Sequence, residues 1–236
     1  MGRGRASLAT ERKIMKLANI QMTSEEARVE KKNILTEVSD YYTQKLAEHG
    51  RTAKGVDWNG VESQTLRFQQ LCKLIQAPSF SIIDLGCGYG ALLEYLDNLY
   101  TEFSYLGVDI SEAMIESAKS RFQNSKNAEF IAASEPQRLV DYCVASGIFN
   151  VRLERSEDEW ASYLLNTLDV MDKSCTKGFA FNCLTSYSDE PFKRDYLYYA
   201  DPGWLFDICK RKYSHNVALL HDYNLYEFTL IVRKAN

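Results

Sequence analysis

From Ile83 to Leu92 the chain reads IDLGCGYGAL: Asp84 closes an apolar run, and glycines follow on alternate positions at 86, 88 and 90. A second carboxylate, Asp109, ends the next apolar run, YLGVDI, 25 positions further on. Glycines let a backbone come close to a bound molecule, and carboxylates at the ends of strands present negative charge to it.

Three kinds of ligand use such a loop. A phosphate loop needs a Lys and a Ser or Thr behind its last glycine. Gly90 is followed by Ala91, Leu92 and Leu93, so that chemistry fails. A dinucleotide site stays open on the glycines alone, because Gly86, Gly88 and Ala91 fit GxGxxA and Asp109 could meet a ribose. Asp84 weighs against it, since a carboxylate in the crevice repels a pyrophosphate and welcomes a cation. S-adenosylmethionine is a cationic ligand of this kind: it carries a sulfonium and an ammonium, has no phosphate, and ends in a ribose that suits a carboxylate partner.

The elements that must hold these residues are legible in the hydrophobic pattern. From Phe80 onward, strand-like runs (SIIDLG, FSYLGVDI, AEFIAA, DYCVASGIF, KGFAFNCL) alternate with helical ones (ALLEYLDNL, SEAMIESAKSRF and a helix opened by Ser156). This alternation predicts a doubly wound α/β fold with a mostly parallel sheet covered on both faces. Asp201-Pro202 opens a further helix, and HNVALLHDY and YEFTLIVRK form a terminal hairpin about Asn224 and Leu225. The hairpin makes the last of seven strands antiparallel. Before Phe80 the pattern is helical: a capping box from Thr23 to Glu26, apolar residues Ile34, Leu35, Val38, Tyr41 and Tyr42 at helical spacing, and a stop at Gly50. A second helix starts near Glu62 and closes before Pro78. The chain thus divides into a basic extension (1–22), a helical cap (23–79) and an α/β domain (80–236) with an inserted polar, aromatic segment (185–201).

DLGCGYG at Asp84–Gly90 and GVDIS at Gly107–Ser111, followed by Met114, Ile115 and Ala118, resemble the paired motifs of the class I (Rossmann-like) S-adenosylmethionine-dependent methyltransferases. The resemblance spans Phe80 to Lys234 as an order of elements, including the reversed last strand. It implies that Gly86, Cys87 and Gly88 line the methionine part of the cofactor, with Asp84 ordering the ammonium side. It further implies that Asp109 takes the ribose hydroxyls, Ile110 packs on the adenine and Met114 lies nearby. The family often places an acid after the third strand for the adenine amino group. Here Ala133 stands there, leaving Ser134 or Glu135 for that contact. Ser146 and the residues after it would lie under the transferring methyl. There is no Asn-Pro-Pro-Tyr-like signature, which speaks against methylation of a base amino group.

Outside the motifs, Tyr42 is a candidate to close over the cofactor, beside Tyr41. Arg67 could fork onto the cofactor carboxylate, with Gln64 and Trp58 as weaker candidates. His221, read on a late strand, and Tyr199 are the candidate bases for a protonated acceptor. The segment 185–201 reads as a substrate lid, with Tyr196, Tyr198 and Tyr199 as aromatic walls and Arg194 as an anion anchor. Each has a blander alternative: a docked helix, a surface arginine, a sheet histidine, a solvated connection. Glu157, Asp158 and Glu159 read as helix-dipole partners.

Composition narrows the partners. With 28 Lys+Arg against 32 Asp+Glu and a formal charge of −4, the chain lacks the basic stripe of a nucleic-acid groove. The six cysteines form no CxxC pair and have no histidines at zinc spacing, so no metal site is expected. No apolar run approaches the roughly 20 residues that a bilayer requires. The chain reads as a cytoplasmic enzyme that methylates a small molecule from S-adenosylmethionine, without nucleic-acid or membrane partners. The alternatives are methylation of a peptide or protein, an NAD-linked oxidoreductase, and a non-catalytic S-adenosylmethionine-binding module.

Overall fold

The computed structural model describes residues 24–56 and 60–235, with side chains from Asn33 onward. The basic extension, the capping box that begins at Thr23, and Trp58 lie outside the described residues.

Two helices precede the sheet: α1 (Ser24–His49) and α2 (Val61–Cys72). Gly50 ends α1 as expected, in the left-handed region at φ 63° with its N–H on Leu46 O. There follow β1 (Ser79–Leu85), α3 (Ala91–Asp97), β2 (Glu102–Asp109), α4 (Glu112–Arg121), β3 (Ala128–Ala132) and β4 (Val140–Ala145). The remainder is α5 (Glu157–Lys173), β5 (Cys175–Thr185), β6 (Tyr199–Ala200), α6 (Pro202–Lys212), β7 (Asn216–Leu220) and β8 (Glu227–Arg233). Ser156 caps α5 in a full capping box with Glu159, and Asp201 caps α6 by accepting from Trp204 N–H.

The sheet runs β3-β2-β1-β4-β5-β8-β7, with two-residue β6 attached to the end of β5. β8 alone runs opposite to the other strands, antiparallel to both β5 and β7. This is a mixed α/β architecture with a mostly parallel sheet, as the alternation of strands and helices predicts. The chain starts at β1, winds outward to β3, then crosses back to β4. That reversal opens a crevice at the carboxyl ends of β1 and β4, where doubly wound sheets take ligands.

Core residues cover both faces. On one, Phe68 and Leu71 of α2 and Leu92, Leu93 and Leu96 of α3 pack on Ile82, Tyr105, Val144 and Ile231. On the other, Trp160, Leu164, Leu168 and Met171 of α5 pack on Ile83, Cys143, Phe179 and Phe181. Each such Leu contributes on the order of 1.5–3 kcal/mol by leaving water. All six cysteines are buried and free, as small apolar residues of this core.

Two strand boundaries differ from the sequence pattern. β4 stops at Ala145 because Gly147 turns the chain at φ 79°, so Ser146–Phe149 is a turn and not strand. β7 stops at Leu220, which puts His221 in the connection to β8. That connection is residues 221–226, longer than the pattern suggested, with Asn224 left-handed at φ 55°.

Candidate functional site

The glycine loop leaves β1 across the end of β2. Gly86 and Cys87 N–H both donate to Val108 O (2.7 and 3.1 Å), and Gly88 N–H donates to Asp109 Oδ2 at 2.8 Å. The other Asp109 oxygen accepts from Ser111 N–H at 2.9 Å, and Ser111 in turn caps α4 through Met114 N–H. Asp109 is therefore both a carboxylate facing the crevice and the brace between the loop and α4. Gly86 sits at φ 78°, and a Cβ there would lie 2.1 Å from Ile148 Cγ2. Only a residue without a side chain lets the loop after β1 and the turn after β4 close to this spacing.

The crevice they bound is a cleft of about 1000 Å³, counting its open mouth. Its floor is Asp84 to Gly88, with Asp109, Ile110 and Met114 on the β2–α4 side and Ala133 and Ser134 after β3. Ser146, Gly147 and Ile148 form the opposite lip. From the cap, α1 contributes Leu35, Val38 and Tyr42, and α2 contributes Gln64 and Phe68. Helix α1 and the turn that follows it are held across the cleft by Thr43 Oγ1 against Ser111 Oγ (2.8 Å), Arg51 Nε to Ser117 Oγ (2.8 Å) and a fork from Arg155 onto Glu37.

Asp84 is the electrostatic centre of this floor. It is 3 % exposed, and its Oδ2 accepts from the Tyr105 hydroxyl at 2.7 Å. Burial pushes its pKa up to about 7; the Tyr105 bond opposes the rise, and the like charge of Asp109 adds to it. Asp109 is also raised by burial, against the lowering effect of its backbone donors. Burial first, then the two carboxylates, hold the Cys87 thiol well above its ordinary range, so it is not a nucleophile. Ser146 Oγ is buried on the cleft lip with no hydrogen-bond partner among the described residues.

These features fit S-adenosylmethionine. A desolvated carboxylate suits an ammonium, a second carboxylate beside the loop suits ribose hydroxyls, and an orphaned hydroxyl on the lip has hydrogen-bonding capacity to spare. Among the described residues, no group of His, Cys, Asp and Glu could hold a metal ion. None of the described helices is long and apolar enough to cross a membrane.

The structure brings Tyr42, Asp84, Gly86, Cys87, Gly88, Asp109, Ile110, Met114, Ser134 and Ser146 together around the cleft. Glu135 lines an adjoining groove that shares Ile110, Ala133 and Ser134. Arg67 does not reach the cleft. It forks onto Glu227 of β8 with Nε–Oε2 2.8 Å and Nη2–Oε1 2.6 Å, because both charges are buried and each needs the other. His221 lies exposed beside Tyr187 and Phe228, and Tyr199 is half-buried in β6, where its hydroxyl accepts from Arg194 N–H at 3.0 Å. Neither borders the cleft. Segment 185–201 is anchored to the residues after β4 by Arg152 and Leu153 N–H on Tyr196 O and by Tyr198 N–H on Asn150 O. Within it Tyr198 is buried core, whereas Tyr187 and Tyr196 are exposed.

Sequence reasoning missed Phe68 on α2, and Tyr163 and Thr167 on α5, all of which line the cleft. The signal existed for α5: its amphipathic pattern places Tyr163 and Thr167, four residues apart, on one face. Burial pushes the Tyr163 hydroxyl up to about 12, so it is a neutral hydrogen-bonding group there.

Residues 82–167 match a family model described as a methyltransferase domain. A protein of Mycobacterium tuberculosis (strain ATCC 25618 / H37Rv), Rv1506c, named as an inferred methyltransferase, is 57% identical over 160 residues, which cover 68% of this chain and 96% of that protein. Among solved structures, a DhpI-SAM-HEP complex aligns with a TM-score of 0.61 at 13% identity, over 85% of this chain and 98% of the other. The N-methyltransferase NodS of Bradyrhizobium japonicum WM9, in complex with S-adenosyl-L-homocysteine, aligns with a TM-score of 0.59 at 13% identity, over 84% and 98%. At these identities the two structures speak to the fold.

Proposed function

The chain belongs to the class I S-adenosylmethionine-dependent methyltransferases, and we propose that it transfers the cofactor's methyl group to a small-molecule acceptor. Family membership removes the NAD-linked alternative. The observation that carries the donor assignment is Asp84: a carboxylate 3 % exposed on the cleft floor, beside a second carboxylate, is tolerable when a cation occupies the cleft.

When bound, S-adenosylmethionine supplies a methyl group on a positively charged sulfur, which a lone pair of the acceptor can take by in-line displacement. The protein's own work is alignment and exclusion of water, which can supply much of the acceleration. In this reading Asp84 holds the ammonium end, Gly86 to Gly88 lie along the methionine chain, and Asp109 takes the ribose. Ile110, Met114, Ser134 and Tyr163 surround the adenine. Tyr42 and Phe68 close the cleft from the cap. Segment 185–201 is tied to Asn150, Arg152 and Leu153, just past the turn that carries Ser146, and in this reading it borders the acceptor side from outside the cleft lining. His221 and Tyr199 lie outside the cleft, so the reaction does not rest on them; a base is required only for an acceptor that arrives protonated.

A small acceptor is favoured because α1 and α2 both border the cleft, and because the charge balance offers no basic track for a polyanion. The test is incubation with trideuteromethyl-labelled S-adenosylmethionine and a metabolite extract, followed by mass spectrometry. The label is expected on one or a few small molecules. Label found only on protein or peptide would move the assignment to a peptide methyltransferase, and no label anywhere would leave a binding module.

A further inference from the structure

A buried polar chain runs from the cap to the lip of the cleft through residues that do not themselves line it. Arg67 of α2 forks onto Glu227 of β8, the two side chains being 7 % and 1 % exposed. Asn182 of β5, fully buried, donates from Nδ2 to Glu227 Oε2 at 3.3 Å, and its Oδ1 accepts from Gly147 N–H at 2.7 Å. An ionised carboxylate only accepts hydrogen bonds and a backbone N–H only donates, so Glu227 and Gly147 together fix which way the Asn182 amide faces: the amino group toward Glu227, the oxygen toward Gly147. Without that carboxylate the amide could turn over and set its amino group against a backbone N–H. Gly147, at φ 79°, carries Ser146 on one side and Ile148 on the other. Ile148 Cγ2 occupies the space where a Cβ on Gly86 would begin. The Asn182–Gly147 bond therefore sets the gap between the two lips of the cleft.

We propose that Asn182, oriented by the Arg67–Glu227 pair, is a positioning residue that holds the Ser146–Ile148 turn in the form that receives S-adenosylmethionine. This rests on the donor assignment made above. The network links the docking of α2 to the shape of the cofactor lip. It also gives the buried charge pair a role beyond its own modest net stabilisation.

Two variants separate positioning from simple stability. Asn182→Leu removes the acceptor for Gly147 N–H. The double variant Arg67→Met with Glu227→Met keeps Asn182 and replaces the ion pair with apolar side chains, so no charge is left unpaired while the Asn182 amino group loses its acceptor and its guide. Each protein is titrated calorimetrically with S-adenosylhomocysteine, its ligand-free melting temperature is measured, and the Gly147 amide resonance is recorded by ¹H–¹⁵N NMR. The proposal expects affinity to fall about tenfold in the double variant, equivalent to about 1.4 kcal/mol, with a single cooperative melting transition retained, lowered by the unmade Asn182 hydrogen bond, and the Gly147 amide proton shifted upfield. Wild-type affinity and an unmoved Gly147 resonance in the double variant would overturn it, whatever Asn182→Leu does to folding. Failure of the wild-type protein to bind S-adenosylhomocysteine would instead overturn the donor assignment, and the Gly147 resonance would still report on the network.

Discussion

Raising the pH from 6 to 7.5 should tighten S-adenosylhomocysteine binding, because the ligand's ammonium needs Asp84 ionised. In the ligand-free protein burial pushes that pKa up to about 7. The ionised fraction then rises from about one tenth to about three quarters over this range, and affinity by roughly eightfold. The sign for stability is the reverse. Asp84 ionises near 3.8 when unfolded and near 7 when folded. Its contribution is present in full below about pH 4, shrinks as the pH rises, and is lost above about pH 7, a difference on the order of 4 kcal/mol. Asp84→Asn keeps an acceptor for the Tyr105 hydroxyl and abolishes the ionisation. It should melt higher than the wild type at pH 8 while binding the ligand more weakly and without the pH dependence. Calorimetric titrations and melting curves at pH 6, 7 and 7.5, with melting added at pH 8, give both quantities. An affinity that is flat or falls with pH, or one whose rise survives in Asp84→Asn, would refute the reasoning.

Asp109→Ala removes the ribose carboxylate and the brace on Gly88 and Ser111 N–H; calorimetry should show a loss on the order of 1.5–3 kcal/mol in S-adenosylhomocysteine binding. Gly86→Ala places a methyl 2.1 Å from Ile148 Cγ2 at a positive φ, so urea unfolding should show a loss on the order of 1–3 kcal/mol from backbone strain alone, with cofactor binding abolished. Tyr42→Ala opens the cap side of the cleft, and stopped-flow measurement should show faster release of S-adenosylhomocysteine. His221→Ala and Tyr199→Phe lie away from the cleft, and calorimetry should find their cofactor affinity unchanged.

Much of this fold is visible in the chain because its periods are strong. Runs such as SIIDLG are buried on both faces, and the helices between them carry one apolar side, so strand and helix alternate unmistakably. The motif carboxylates and glycines were legible for the same local reason: their positions at strand ends follow from the strands. What escaped was what depends on distant partners. Nothing near Arg67 in the chain reveals Glu227, 160 residues away, so its guanidinium was expected on the cofactor. His221 continues an apolar run, and only the end of pairing at Leu220 removes it from the strand. The two-residue β6 is too short to carry a period. Tyr163 and Thr167 look like ordinary residues of an amphipathic helix until α5 packs beside the crevice.

The central claim is that Asp84, buried on the cleft floor, and Asp109 beside it select a nucleoside that carries an ammonium over a phosphate dinucleotide. Paired calorimetric titrations of the wild-type protein with S-adenosylhomocysteine and with NADH at pH 7.5 test it most directly. One site for S-adenosylhomocysteine and no heat from NADH is the predicted result. Saturable binding of NADH in place of S-adenosylhomocysteine would contradict it.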